Sequence, residues 1–283
     1  MRVDKYKTTS ADESQYALAT GEKDQERLII LNEIYNPYST LFLGDCKIQK
    51  NAKILELGCG LGLMSQVLAC TVKKGGVVLA TDISKEQLQI ARSLLPRDGI
   101  LNLEFRQLSA FKIEELQETF DVIYARLLLV HLKDPQKLIH KMKTILKPGG
   151  KLIIEDLTSN LSLHSSPPTE GMAILHELDR LQNELQESDD LYFASLPQYL
   201  EKEGFKVEAL HKVQPQLDTP RKRKSIVFHL SSLKDALLDA GKITLDTYNN
   251  MLQKVVELET NPSIAIYYYE LGQLCTIFQA DYE

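Results

Sequence analysis

The chain has 283 residues, 33 Lys and Arg against 39 Asp and Glu, a net charge of −6 and 43% hydrophobic residues. That balance fits one or two globular domains with a buried core and excludes wholesale disorder. The start has no apolar signal-like core, no run approaches 18 apolar residues, and Cys46, Cys59, Cys70 and Cys275 show no CxxC or ligand-like spacing. A spanning helix, a disulfide scaffold and a zinc site are therefore not expected, and a reducing, cytoplasmic setting is.

In chain order, residues 23–35 read as a helix with Leu28, Leu31 and Tyr35 on one side. Asn36-Pro37 should break it and cap a short second helix through Leu43. Five short, bounded apolar runs follow at 53–57, 77–80, 103–107, 120–125 and 151–157, each strand-like. Helical stretches lie between them. Met64, Val67 and Leu68 share one face. Ser84-Lys85-Glu86-Gln87 is a capping-box pattern ahead of Leu88, Ala91 and Leu95. Asp134-Pro135 supplies an N-cap and an N1 proline ahead of Leu138, Met142 and Ile145, and Lys147-Pro148-Gly149-Gly150 ends that helix. Strands alternating with helices predict a parallel sheet covered on both faces.

Beyond this core, 169–187 reads as a helix with Ile174, Leu178, Leu181 and Leu185 in register. Residues 195–204 form another, 205–211 a strand, 225–240 and 244–259 two more helices (the second capped by Thr244), and a last strand lies within 272–280. The expected organisation is an N-terminal helical cap over 1–50 and one domain over 51–283. Its core comprises 51–160, 195–213 and about 263–283, with helical lid insertions at 161–194 and 214–262. Charge divides along the same line: residues 1–160 carry +2 and residues 161–283 carry −8.

The sharpest signal is ILELGCGLG, Ile54–Gly62. A buried strand runs into Gly58, Gly60 and Gly62, and a helix begins at once. Glycine there permits the strained turn and lets a ligand approach the backbone. Twenty residues after Gly62 the second strand ends at Asp82, where a carboxylate can accept both hydroxyls of a ribose. Together they predict an adenosine-containing cofactor across the carboxyl ends of the first two strands. A nicotinamide fingerprint would place its third glycine where Leu63 stands, and no phosphate-binding GxxxxGK occurs.

GxGxG after a Glu-bearing strand resembles the first motif of class I S-adenosylmethionine-dependent methyltransferases. The stretch FDVIYARLLLVHLKDPQKLIHKMKTILKPGGKLIIEDL, Phe120–Leu157, resembles that family's fourth strand, helix, PGG turn and fifth strand. Tyr16, Leu18, Gly21 and Arg27-Leu28 resemble the lead-in of a subgroup that methylates small molecules. The resemblance implies an α/β, Rossmann-like fold with a seven-stranded, mostly parallel sheet whose last strand is antiparallel. Its cofactor would be S-adenosyl-L-methionine. Glu56, Gly58, Cys59, Gly60 and Gly62 would surround the methionine part, Asp82, Ile83 and Gln87 the ribose and adenine, and Tyr124 to Arg126 the rim of the methyl position. Tyr16 and Arg27 would close the site from the N-terminal side, or only anchor the first helix. Many members carry a carboxylate after the third strand; Gln107-Leu108-Ser109-Ala110 stands there instead, leaving Ser109 and Ala110 as the expected adenine contacts.

Methyl transfer needs alignment above all, and a base only where the acceptor must lose a proton. His131 is the expected base, since it follows the fourth strand and an ordinary His titrates near neutral pH; packing within its short helix is the plainer role. Arg126 suits a carboxylate of the cofactor or acceptor, or a structural ion pair. Cys59 reads as a small residue that fits the loop. Arg221-Lys222-Arg223-Lys224 is expected to be a solvated loop, and with the acidic surroundings it argues against nucleic acid. The late helices lack Lys-rich polar faces, so lid packing is expected and a membrane surface is not. The expected function is methyl transfer to a small neutral or cationic acceptor. The alternatives are a non-catalytic cofactor-binding protein, a methyltransferase acting on protein or RNA, and an oxidoreductase, which Leu63 disfavours.

Overall fold

The computed structural model describes residues 25–73, 75–159, 162–186 and 192–279. In chain order the first elements are α1 (Gln25–Asp45), β1 (Lys53–Leu57), α2 (Leu63–Thr71), β2 (Val77–Asp82), α3 (Lys85–Ser93), β3 (Leu103–Gln107) and β4 (Phe120–Arg126). Then come α4 (Pro135–Ile145), β5 (Leu146–Leu157), β6 (His164–Ser166), α5 (Glu170–Gln186), α6 (Tyr192–Lys202) and β7 (Phe205–Val213). The chain continues with α7 (Pro220–Asp239), α8 (Leu245–Thr260), β8 (Ala265–Tyr267) and β9 (Leu271–Phe278).

The main sheet has seven strands in the order β3-β2-β1-β4-β5-β9-β7, with β9 antiparallel to both neighbours and the other pairings parallel. This is the expected α/β fold, and the crossover after β3 starts the second half of the sheet beside the first strand. That reversal puts the carboxyl ends of β1 and β4 side by side, the place where open α/β sheets take ligands. Four of β1's five residues are buried, because helices cover both of its faces.

Apolar residues of α4, α6 and the 3₁₀ turn at Ala110–Leu116 pack on one face, and those of α1 and α2 on the other. A further core unites Ile30, Ile34 and Tyr35 of α1 with Leu175 and Leu178 of α5, Leu230 of α7 and Val255 of α8. The helical cap and the late helices thus share one apolar interior.

Three local differences from the sequence reading have physical causes. First, α1 continues through Pro37 instead of breaking. Asn32, Asn36 and Ser39 lie on one face of it, on both sides of the proline, and all three accept hydrogen bonds from Arg126. Tertiary contacts here outweigh the lost backbone donor. Second, α7 begins at Pro220, with Thr219 Oγ1 capping Lys222 N at 3.2 Å, so Arg221–Lys224 lie in its first turns and not in a loop. Cations at a helix N-terminus are unfavourable alone. Here Arg221 pairs with Glu33, Lys222 with Asp218 and Lys224 with Glu26. Third, β6 and β8 form a two-stranded antiparallel sheet that strands of three residues could not announce by periodicity.

Candidate functional site

The turn from β1 into α2 holds three glycines in the left-handed region: Gly58 at φ +67°, Gly60 at +51° and Gly62 at +66°. Two of them show different reasons for lacking a side chain. A Cβ on Gly62 would sit 2.5 Å from Phe105 Cζ, so this glycine is needed for packing between the loop, α3 and β3. A Cβ on Gly60 would meet nothing within 4 Å, so this glycine opens the backbone to a ligand.

Asp82, at the end of β2, is built into that loop. Gly60 N–H donates to its Oδ2 at 2.8 Å and Ser84 N–H donates to its Oδ1 at 2.8 Å. Burial pushes the carboxyl above its ordinary value, and the Ser84, Gly60 and Ile83 N–H groups oppose the shift. Each oxygen keeps acceptor capacity for a further donor, which suits a vicinal diol.

The Ser84 bond has a consequence for Gln87. In a full capping box the N3 side chain returns to the N-cap N–H. Ser84 Oγ does accept from Gln87 N at 3.2 Å, but Ser84 N–H is already taken by Asp82. Gln87 is 5% exposed, and its Oε1 has no hydrogen-bond partner among the described residues. Ile83 beside it is an exposed apolar side chain. At the third strand, Gln107 Nε2 donates to Ile83 O at 3.0 Å, and Ser109 Oγ caps the turn by accepting from Phe111 N at 3.3 Å; Ala110 begins that turn.

Glu56 is the second buried carboxylate. It is 3% exposed, its Oε2 has no hydrogen-bond partner among the described residues, and burial pushes it up to about 7 against the pull of Ser65 and the Arg126 charge. Cys59 is buried in the loop, with its thiol pushed well up by burial and by Glu56 and Asp82, so it stays protonated and fills space.

Arg126 ends β4, and His131 lies in the turn that follows it. Arg126 Nη1 donates to Asn36 Oδ1 and Ser39 Oγ, and Nη2 to Asn32 Oδ1, so its mapped hydrogen bonds run to α1 and not into the loop. Ser39 Oγ donates in turn to Glu155 Oε2, and Tyr124 Oη to Glu155 Oε1 at 2.6 Å. His131 lies in a 3₁₀ turn, Leu129–His131, and does not titrate near neutral pH. Burial first, and the Arg27 charge second, push it down to about 4.

The sequence reading missed Asp156. It lies at the end of β5, is 1% exposed, and its Oδ2 accepts from Val130 N at 3.0 Å in the turn that carries His131. Burial pushes it up to about 7, opposed by N–H groups of Val130, Leu157 and Leu129. Tyr192 Oη is buried without a hydrogen-bond partner among the described residues, and burial first and the Asp156 charge second raise it. The signal available in sequence was a carboxylate at a strand's carboxyl end, one strand along from His131. Tyr16 lies outside the described residues. Among the described residues there is no metal-competent cluster of three or more His, Cys, Asp or Glu, and no helix long and apolar enough to cross a membrane.

Comparison with known proteins gives this arrangement a context. A family described as a methyltransferase domain matches residues 48–217, more than half of the chain. The ubiquinone biosynthesis O-methyltransferase of Coxiella burnetii is 28% identical over 131 residues, covering 46% of this chain and 54% of that one. The chain therefore spans about half the length of the curated relatives it matches. Two solved structures share the fold: coclaurine N-methyltransferase bound to N-methylheliamine and S-adenosylhomocysteine (TM-score 0.52, 15% identity, 92% of this chain and 74% of that one) and the cyclase SpnF (TM-score 0.54, 16% identity, 94% and 86%).

Proposed function

The chain belongs to the methyltransferase domain family, and from that premise we propose that it transfers a methyl group from S-adenosyl-L-methionine to a small-molecule acceptor by in-line displacement. The observation that carries the reading is the Asp82 carboxylate fastened to Gly60 of the glycine loop. The residues present fit the cofactor: a carboxylate with free acceptor capacity, an open backbone at Gly60, and two buried oxygens, Glu56 Oε2 and Gln87 Oε1, without partners. The cofactor supplies a sulfonium-activated methyl group.

In this reading Asp82 accepts the ribose hydroxyls and Ile83 offers an apolar surface to the adenine ring. Gln87 Oε1 accepts from the adenine amino group, with Ser109 and Ala110 bordering that ring, in place of the missing carboxylate. Glu56 would accept a hydrogen bond from the ammonium of the methionine part, whose charge would favour the ionised carboxylate. Gly58, Cys59 and Gly62 shape the loop. Arg126 holds α1 over the carboxyl ends of β4 and β5.

On the acceptor side, Asp156 takes the proton of an acceptor O–H or N–H more readily than His131, because its affinity for protons lies near neutral pH. Two buried carboxylates and the acidic second half of the chain favour a neutral or cationic acceptor over an anionic one. Calorimetric titration with S-adenosylhomocysteine tests the core of the proposal: one site per chain is expected, weakened in Asp82→Ala. Folded protein that does not bind overturns it. Incubation with methyl-labelled S-adenosylmethionine and a panel of phenols and amines then tests the acceptor class.

A further inference from the structure

An aromatic ring stands beside the carboxyl end of β5, where the neighbouring strand has no side chain. Asp156 pairs in register with Gly272 of β9, so the two positions lie side by side on one face of the sheet. Glu155 and Gln273 turn to the other face, where Glu155 accepts from Ser39 of α1. The Asp156 face belongs to α6: Phe193 of that helix shares an apolar cluster with Ile154 and Leu274, the alternate residues on the two strands. A Cβ on Gly272 would lie 2.6 Å from Phe193 Cδ1 and nearer still to Cε1 and Cζ. The ring therefore fills the place where a side chain at 272 would start. That place is one interstrand step, about 4.5–5.5 Å between Cβ positions, from Asp156. Phe193 is 3% exposed and Asp156 1%.

We propose that Phe193, seated in the notch that Gly272 leaves, is a positioning residue that keeps water from Asp156 and so sets the pH at which that carboxylate takes a proton. It acts through Asp156 and rests on the reading of Asp156 as the acceptor-side base. A carboxylate ionises readily only where water or donors solvate it. Val130 N at 3.0 Å and Leu157 N at 3.1 Å donate to Asp156, and the ring occupies volume beside it that water would otherwise enter. The titratable groups around it are neutral at pH 7. Burial pushes Tyr192 of α6 and Tyr35 of α1 up, and pushes His131 of the neighbouring turn down to about 4. The charged groups on the packed elements are engaged elsewhere. Arg126 bonds to α1, Glu270 to Thr158 at 2.8 Å and Lys212 at 3.2 Å, and the Arg27 charge acts on His131. The influences on Asp156 are burial, which raises it, and backbone N–H groups, which lower it.

Carboxyl NMR of the full chain, labelled at aspartate and without cofactor, reads the titration of Asp156, with Asp156→Asn assigning the resonance. In the wild type the midpoint should lie near 7. In Phe193→Ala it should lie roughly 1–2 pH units lower, and in Phe193→Leu it should stay near the wild type. Gly272→Ala leaves Phe193 in the chain but expels the ring from its notch. It should lower the midpoint as well, and it decides the matter if Phe193→Ala does not fold. A midpoint unmoved in both Phe193→Ala and Gly272→Ala overturns the proposal and leaves the base reading intact. A wild-type midpoint in the ordinary carboxylate range overturns both. If the midpoint falls in Phe193→Ala but the pH limb of kcat/KM stays in place, Phe193 keeps its role over Asp156, and Asp156 loses its role as the base.

Discussion

Gly60 donates its backbone N–H to the Asp82 carboxylate at 2.8 Å, joining the loop after the first strand to the end of the second. The carboxylate fixes the loop, and in the proposed function its remaining acceptor capacity is what holds the ribose. Asp82→Ala removes both. The expected loss of S-adenosylhomocysteine affinity is about 1.5–3 kcal/mol, roughly 10- to 150-fold by calorimetry. Asp82→Asn keeps acceptor oxygen but loses charge, so its affinity should fall between the two. Equal affinity in all three proteins would show that no ribose binds there.

Gly60 and Gly62 should separate binding from folding. Gly60→Ala adds a methyl group into open space, so its cost to stability is the left-handed backbone alone, about 1–2 kcal/mol. It should weaken the cofactor strongly. Gly62→Ala drives a methyl group to 2.5 Å from Phe105, and overpacking adds about 1–3 kcal/mol to the same backbone cost. Thermal melts and titrations on the two variants should therefore rank in opposite orders.

Glu56 is held protonated by burial up to about pH 7, far above its unfolded value. Between those two values the folded chain binds more protons than the unfolded one, so this group's contribution to stability falls as pH rises through the window. Glu56→Gln abolishes that dependence. Without cofactor the variant should match the wild type near pH 4 and exceed it by on the order of 2 kcal/mol at pH 8 in urea melts. With S-adenosylhomocysteine the order should reverse, since the variant offers no charge to the ligand's ammonium. A variant destabilised at pH 8 without ligand would show that the carboxylate is satisfied in the free protein.

The central sheet was legible because its signals are local: short apolar runs, the glycines at 58, 60 and 62, and caps such as Asp134, whose Oδ1 accepts from Lys137 N at 3.0 Å. Asp82 was legible because strand and loop fix its place. What escaped depends on partners far along the chain. Pro37 looks like a helix breaker until Arg126, some ninety residues on, is seen bonding to Asn32 and Asn36 on either side of it. His131 looks like a neutral-pH base until burial and Arg27 are counted. Asp156 showed only its place at a strand's carboxyl end, since its raised proton affinity comes from burial beside the turn whose Val130 N–H it accepts.

Arg126 binds α1 to the sheet, which gives a prediction unlike that for a cofactor ligand. Arg126→Met keeps the apolar stem and removes three charged hydrogen bonds, at about 2–4 kcal/mol in stability. Hydrogen exchange should accelerate across residues 25–45 and leave β1 to β3 protected. Intact protection of α1 with a selective loss of cofactor affinity would return Arg126 to the cofactor.

Asp156 bonds to the turn that carries His131, and the two differ in proton affinity, about 7 against about 4. A base works best when its affinity lies near the working pH, and about 10²- to 10⁴-fold in rate rests on such a group. With an acceptor that sustains turnover, kcat/KM should rise with pH through an apparent value near 7. Asp156→Asn should lower kcat by that range and remove the limb, whereas His131→Ala should retain it. The Asn side chain keeps an oxygen for Val130 N, so the turn itself should survive the change. If Asp156→Asn instead lowers the melting temperature and leaves the pH profile unchanged, the carboxylate serves only to cap the turn, and proton removal belongs to solvent or to the acceptor itself.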